Sequence, residues 1–155
     1  MAWYSYFLLC VPEALAVTLL SFTLLGISLK ENKKSIIYFA LTYGLVAFIL
    51  NIYLVNSLKP ILTLFFFSIL ISFLFKRKLV DGFIIGLTSF VCLILFELTF
   101  SLLYTALFDL NYDYLLSHAW QRILVSASTT TIPMLLVALI VYKKNYSIKI
   151  SLLKR

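Results

Sequence analysis

The sequence predicts an all-α fold, a polytopic integral membrane bundle of five transmembrane helices with its N-terminus outside and its C-terminus in the cytoplasm. The 155 residues are 63% hydrophobic and only 12% charged, with a mean hydropathy of +1.07. A soluble domain of this size cannot bury so much apolar surface. The apolar residues form five stretches of about 20 residues, the length that crosses a hydrocarbon core of about 30 Å. The fold is therefore expected to be solvated by lipid.

The five stretches define one transmembrane domain, residues 1–142, followed by a basic cytoplasmic tail, residues 143–155. The predicted spans are residues 6–29, 35–55, 58–75, 79–108 and 119–142. The fourth stretch exceeds one crossing, so we expect it to tilt or to extend beyond the bilayer. No basic residue precedes the first stretch and no small-residue cleavage pattern follows it, so we expect this helix to be retained.

The basic residues indicate the orientation of the helices. Eleven of the thirteen Lys and Arg residues fall in three clusters, within residues 30–34, 76–78 and 143–155, whereas Lys59 and Arg122 stand alone. The positive-inside rule places the three clusters in the cytoplasm. The net charge of +7 then indicates contact with anionic lipid headgroups and not with nucleic acid. We expect a multi-pass protein of the cell membrane, of the bacterial inner-membrane type.

Polar residues within the spans are the strongest local signal, because an ionisable side chain at the bilayer centre costs roughly 2.5 to 3.5 kcal/mol. Glu13 and Glu97 are such residues. At about 1.5 Å per residue, both lie at a similar depth in the outer half of the bilayer. Asn51 of the second span and Arg122 of the fifth reach the same level.

The fifth span also carries a run of hydroxyl residues below Arg122. Pro133 follows this run and has no N–H for the carbonyl of Thr129, which predicts a kink with hydroxyls helping to satisfy the freed groups. We hypothesise that an outward-facing cavity is lined by Glu13, Asn51, Glu97, Arg122, Ser126, Thr129 and Thr130. Two alternatives stay open: the hydroxyls serve helix contacts, or the two carboxylates are satisfied separately, one of them by Arg122.

Gly82 and Gly86 have the four-residue spacing that lets two membrane helices approach closely. They could form either a dimer seam or a contact within one subunit. His118 is the only histidine and lacks the companion ligands of a zinc site, so no metal is predicted. Cys10 and Cys92 both fall within spans and are expected to be packing residues. No Walker, GxSxG, HExxH or CxxC motif occurs, so neither an enzyme nor a cofactor is predicted.

The first helix and its exit resemble a known family. Residues 11–14 (Val-Pro-Glu-Ala), residues 24–27 and the basic turn at 30–34 are similar to the membrane sensor segments of bacterial GHKL-type histidine kinases, including peptide-pheromone receptors of the accessory-gene-regulator type. This resemblance implies that an extracellular peptide or membrane-borne cue alters helix packing, and that a homodimer passes the change to a cytoplasmic kinase. The chain contains no phosphoacceptor histidine region and no ATP-binding boxes, so kinase activity itself is not implied. The output domain is expected either beyond Arg155 or on a partner chain.

The function expected from these observations is a non-catalytic membrane sensor or regulatory module that responds to an extracellular or membrane-borne cue and signals to a cytoplasmic partner. Two alternatives remain: a small-molecule binding subunit of a membrane transporter, and a scaffold of an envelope complex. The expected partners are the lipid bilayer, a second copy of the chain, a cytoplasmic kinase or ATPase, and an extracellular peptide or small-molecule ligand.

Overall fold

A computed structural model describes residues 3–53, 58–108, 119–144 and 146, and within these ranges the chain forms helices and short turns without β-strands. We number the helices α1 (Tyr6–Leu24), α2 (Lys33–Tyr53), α3 (Lys59–Leu74), α4 (Leu79–Phe108) and α5 (residues 119–143). The all-α prediction is thus confirmed for the described residues. The predicted basic tail falls mostly on residues 147–155, which lie outside them, as does His118.

Four helices are long and apolar enough to cross a membrane: Tyr6–Leu24, Lys33–Tyr53, Leu79–Leu103 and Ile123–Lys143. These four spans support a multi-pass membrane protein. The fifth, α3, has 16 residues and is therefore about 24 Å long, shorter than the roughly 30 Å hydrocarbon core.

The α1 helix ends at Leu24 and not at residue 29, where the apolar stretch ends. Gly26 has a φ of 68°, a left-handed conformation that glycine adopts without strain. The N–H of Ile27 donates to the carbonyl of Phe22 at 2.9 Å, and the N–H of Gly26 to that of Thr23 at 3.2 Å. This Schellman cap stops the helix although apolar residues continue beyond it.

The same cap ends α3, but here Lys76 occupies the left-handed position, with a φ of 49°. The N–H of Arg77 donates to the carbonyl of Ser72 at 3.0 Å. A residue with a Cβ atom pays about 1–2 kcal/mol for this conformation. The cap therefore contains strain that glycine would relieve.

We expect Lys76→Gly to be more stable to unfolding than Lys76→Ala by about 0.5–1 kcal/mol, because the greater freedom of glycine in the unfolded chain offsets part of the relieved strain. Both variants remove the same charge, so their difference isolates the backbone conformation. Unfolding by SDS in mixed micelles measures it. A Lys76→Ala variant as stable as Lys76→Gly would show that the left-handed cap is not formed.

The α1 helix lies at the centre of the bundle and packs against α2, α4 and α5, whereas α3 packs between α2 and α4. Phenylalanines fill the half of the bundle near the turns that follow α1 and α3. The Phe22 and Phe75 rings meet edge to face with centroids 4.8 Å apart, and those of Phe39 and Phe67 at 4.9 Å. This geometry is favourable for aromatic pairs. We call this half of the bundle the phenylalanine core.

The α3 and α4 helices meet along small residues. Ser68 and Ser72 of α3 face Gly82 and Gly86 of α4, and a Cβ atom at Gly82 would lie 2.5 Å from the Ser68 carbonyl oxygen. Both serine hydroxyls donate to their own helix, Ser68 to the carbonyl of Leu64 at 2.8 Å and Ser72 to that of Ser68 at 2.9 Å. The two glycines therefore contact α3 of the same chain, and a dimer seam stays a prediction.

Candidate functional site

A cavity of about 470 Å³ lies between the helices. It occupies the half of the bundle where α1, α3 and α5 begin and α2 ends, opposite the basic turns at residues 30–34 and 76–78. All five helices contribute to its wall. Below it, toward the basic turns, lies the phenylalanine core.

Six of the seven residues predicted to form the polar layer line this cavity: Glu13, Asn51, Glu97, Ser126, Thr129 and Thr130. They come from α1, α2, α4 and α5, so the structure brings the two carboxylates to one cavity. Glu97 is exposed and Glu13 half-buried, which places Glu97 at the rim. The side chain of Arg122 lies outside the part of the chain that the structure describes. Whether the cavity binds a ligand stays a prediction.

Lys59 is a cavity residue that the sequence reasoning did not include. Its ammonium group donates a hydrogen bond to Oδ1 of Asn51, joining the start of α3 to the end of α2. Lysine is disfavoured in the first turn of a helix, where the backbone dipole is positive. A lysine directly before a proline at a helix start is therefore the sequence signal that could have indicated a hydrogen-bond acceptor near Lys59.

The inner wall of the cavity is aromatic, another feature that the sequence reasoning did not include. Tyr43 and Phe67 line it, with ring centroids 5.0 Å apart in edge-to-face contact, and Phe90 of α4 adds a third ring. Gly44 brings this part of α2 close to α1: a Cβ atom there would lie 3.0 Å from Cγ2 and 3.3 Å from the backbone nitrogen of Val11. The Tyr-Gly pair within an apolar span is the sequence signal that could have indicated this close contact between α1 and α2.

Two π-helical turns form part of the wall, Tyr6–Cys10 in α1 and Ala127–Thr131 in α5. Each is followed by a proline in the first turn of the next α-helical segment, Pro12 or Pro133. A proline ring displaces the carbonyl four residues earlier, and the backbone here widens by one residue, as in the π-bulges often found at functional sites. The N–H of Ile132 accordingly donates to the carbonyl of Ala127, five residues earlier.

The sequence predicts a kink at Pro133, and the structure has a π-turn directly before this proline. The hydroxyl of Thr129 donates to the carbonyl of Val125 at 2.8 Å, and that of Thr130 to the carbonyl of Ser126 at 2.6 Å. The hydroxyls therefore serve carbonyls of the turn that precedes the widened one. Thr129 and Thr130 are both buried and both line the cavity, so their packing and cavity roles coexist.

The described residues contain no group of three or more His, Cys, Asp and Glu side chains that could hold a metal ion. No protein-family model, curated protein or solved structure matches the chain. The fold and the cavity define its class: an all-helical protein with four candidate membrane spans and a polar cavity between its helices.

Proposed function

We propose that the chain is a non-catalytic membrane sensor or regulatory module, in which a ligand enters the cavity and the resulting change in helix packing reaches a cytoplasmic partner. The observation that supports this is the convergence of side chains from all five helices on one cavity. Its volume, about 470 Å³, lies within the range of small-molecule sites. A ligand that favours one arrangement of the five helices would shift the population toward it.

The proposed topology has all five helices crossing the membrane, with the N-terminus outside and the C-terminus in the cytoplasm. The short α3 would span by local thinning of the bilayer and by its pairing with α4. The basic turns at residues 30–34 and 76–78 would then face the cytoplasm. The cavity, at the opposite end of the bundle, would open toward the outside.

Single-cysteine labelling tests this topology in a background carrying Cys10→Ala and Cys92→Ala. A membrane-impermeant maleimide is expected to label Trp3→Cys and Leu58→Cys in intact cells, and Ser28→Cys and Lys78→Cys only after permeabilisation. The Leu58 and Lys78 positions bracket α3 (Lys59–Leu74). Labelling of both from the same side would show that α3 does not span.

The resemblance of residues 11–14 to GHKL-type sensor segments supports a cytoplasmic kinase as the partner, acting with a homodimer of this chain. Glu13, within this Val-Pro-Glu-Ala stretch, lines the cavity. The α1 helix that carries it runs through the centre of the bundle to the basic turn. A change at Glu13 therefore has a direct physical route to the cytoplasmic end, through one continuous helix.

Hydrogen exchange tests the coupling between the cavity and the cytoplasmic turns. Compounds are first chosen because they raise the Tm of the wild-type protein but not that of Ala47→Trp, whose side chain would fill the cavity. A sensor should show altered exchange rates at residues 25–32 and 75–78 when such a compound binds. Binding without any change in these turns would contradict the sensor proposal.

The size of the cavity also supports a second candidate, the solute-capturing subunit of a membrane transporter. Such a subunit would hold a small molecule in an outward-facing site and deliver it to an energising partner. The two candidates differ in that partner. Stoichiometric copurification with an ATPase, together with solute accumulation in cells, would favour the transporter subunit over the sensor.

A further inference from the structure

Four hydroxyl groups on the cavity wall donate their protons to the backbone and not into the cavity. They donate to carbonyls of their own helices: Thr63 to Pro60 at 2.8 Å, Ser89 to Ile85 at 2.7 Å, Thr129 to Val125 at 2.8 Å and Thr130 to Ser126 at 2.6 Å. Each hydroxyl has one proton and two lone pairs. These wall residues therefore present hydrogen-bond acceptors to a ligand.

The charged residues reinforce this polarity. Glu13 and Glu97 line the cavity from α1 and α4, and Lys59 lines it from α3. The ammonium of Lys59 is hydrogen-bonded to Asn51, and its charge offsets one of the two carboxylates. The described part of the wall thus carries two carboxylates and one ammonium group.

The aromatic wall favours the same class of ligand. Tyr43, Phe67 and Phe90 line the cavity together with the polar residues, and the face of an aromatic ring attracts a cation within about 6 Å of its centroid. An anion would meet two carboxylates and a set of lone pairs, with Lys59 as the cation that the described wall offers it. The wall is therefore complementary to a small positively charged group with an attached apolar part.

We propose that the cavity binds a small organic ammonium ion, whose N–H groups donate to the carboxylates and hydroxyl oxygens and whose apolar part packs on the aromatic wall. This assignment rests on the proposed function, since it names the ligand class of the same site. Two kinds of ligand contain such an ammonium group, simple amines and amino acids. In a simple amine the ammonium group is the only charge, whereas the carboxylate of an amino acid would in addition meet Lys59.

The test compares probes of similar shape on the full chain in lipid nanodiscs, with Kd measured by titration. Phenethylamine, phenylalanine and 1,5-diaminopentane carry ammonium groups, and 3-phenylpropionate and 3-phenylpropan-1-ol do not. We expect phenethylamine to bind about 10- to 100-fold more tightly than 3-phenylpropionate, the range given by one hydrogen bond to a charged group. Tighter binding of phenylalanine than of phenethylamine would identify the amino-acid source, and the reverse order the simple amine.

Charge-neutral variants locate the bound ammonium group. Glu13→Gln and Glu97→Gln keep the size of the side chain and are each expected to weaken phenethylamine binding about tenfold or more. Glu31→Gln, in the exposed turn between α1 and α2, is the matched control and should leave Kd unchanged. The comparison of probes on the wild-type chain decides the question even where a variant does not fold.

Equal or tighter binding of 3-phenylpropionate would overturn the assignment, and so would a failure of all three ammonium probes to bind below about 10 mM. Either result would overturn the ligand class without overturning the proposed function. If 3-phenylpropionate binds the wild-type chain and Ala47→Trp abolishes that binding, the cavity is still a ligand site. Ammonium binding without altered exchange in the cytoplasmic turns would instead contradict the sensor and keep the ligand class.

Discussion

Ala47→Trp is expected to weaken binding of any cavity ligand, with phenethylamine as the probe, by about 10- to 100-fold. Ala47 lies on the cavity wall, on the same helix as Tyr43 and Asn51. An indole side chain placed there would take up a substantial part of the 470 Å³ that a ligand needs. Forcing a ligand into a filled site costs about 1–3 kcal/mol, which corresponds to this range of Kd.

Leu45→Trp is the matched control for this variant. Leu45 is 49% exposed and is two residues from Ala47 on α2, so the two side chains point to roughly opposite sides of the helix. The same indole is therefore added to the same helix without filling the cavity. Similar loss of binding in both variants would show that the effect comes from α2 itself, and unchanged binding in Ala47→Trp would exclude the cavity as the site.

The polar layer could be predicted from the sequence because a membrane span makes polar residues conspicuous. Glu13, Asn51 and Glu97 interrupt apolar stretches, and the constant rise of a helix converts their positions into depths. Depth alone does not say which way a side chain points. That six such residues line one cavity depends on the rotation of each helix, which the contacts between helices determine.

Lys59 could not be assigned to the cavity in this way, because basic residues are common in the loops between two spans. Its hydrogen bond to Asn51 depends on the distance between the end of α2 and the start of α3, which the sequence does not give. The end of α1 was misplaced for a different reason. Leu25, Ile27 and Leu29 prolong the apolar stretch, whereas the cap at Gly26 depends on one backbone angle.

The π-turns, too, could not be predicted from the sequence alone. Pro133 marked a disturbance of α5, but a missing N–H is compatible with a kink, a break or a widened turn. The choice among these depends on how Ala127–Thr131 packs against α1 and α4. The same π-turn before Pro12 was not predicted, although Pro12 is the seventh residue of α1, where a proline ring displaces the carbonyl four residues earlier.

Gly82→Ala is expected to destabilise the bundle by about 1–3 kcal/mol, the usual cost of forcing extra atoms into a packed contact. A Cβ atom at this position would overlap the Ser72 hydroxyl and would also lie 2.5 Å from the carbonyl oxygen of Ser68. That oxygen belongs to the backbone of α3 and cannot move unless the whole helix shifts. Unfolding by SDS in mixed micelles measures the loss, and size-exclusion chromatography shows whether the oligomeric state changes with it.

Gly86→Ala provides the contrast, because the atoms nearest to its Cβ position all belong to side chains, the nearest being the Ser68 hydroxyl at 2.5 Å. Removing this hydroxyl with Ser68→Ala should relieve the overlap, and Gly86→Ala should then gain about 0.8–1.0 kcal/mol from the higher helix propensity of alanine. The same Ser68→Ala change should not rescue Gly82→Ala, since the carbonyl oxygen remains. Rescue of Gly82→Ala by Ser68→Ala would contradict the contact with the Ser68 carbonyl, and a change in oligomer size without loss of stability would indicate that these glycines contact another chain.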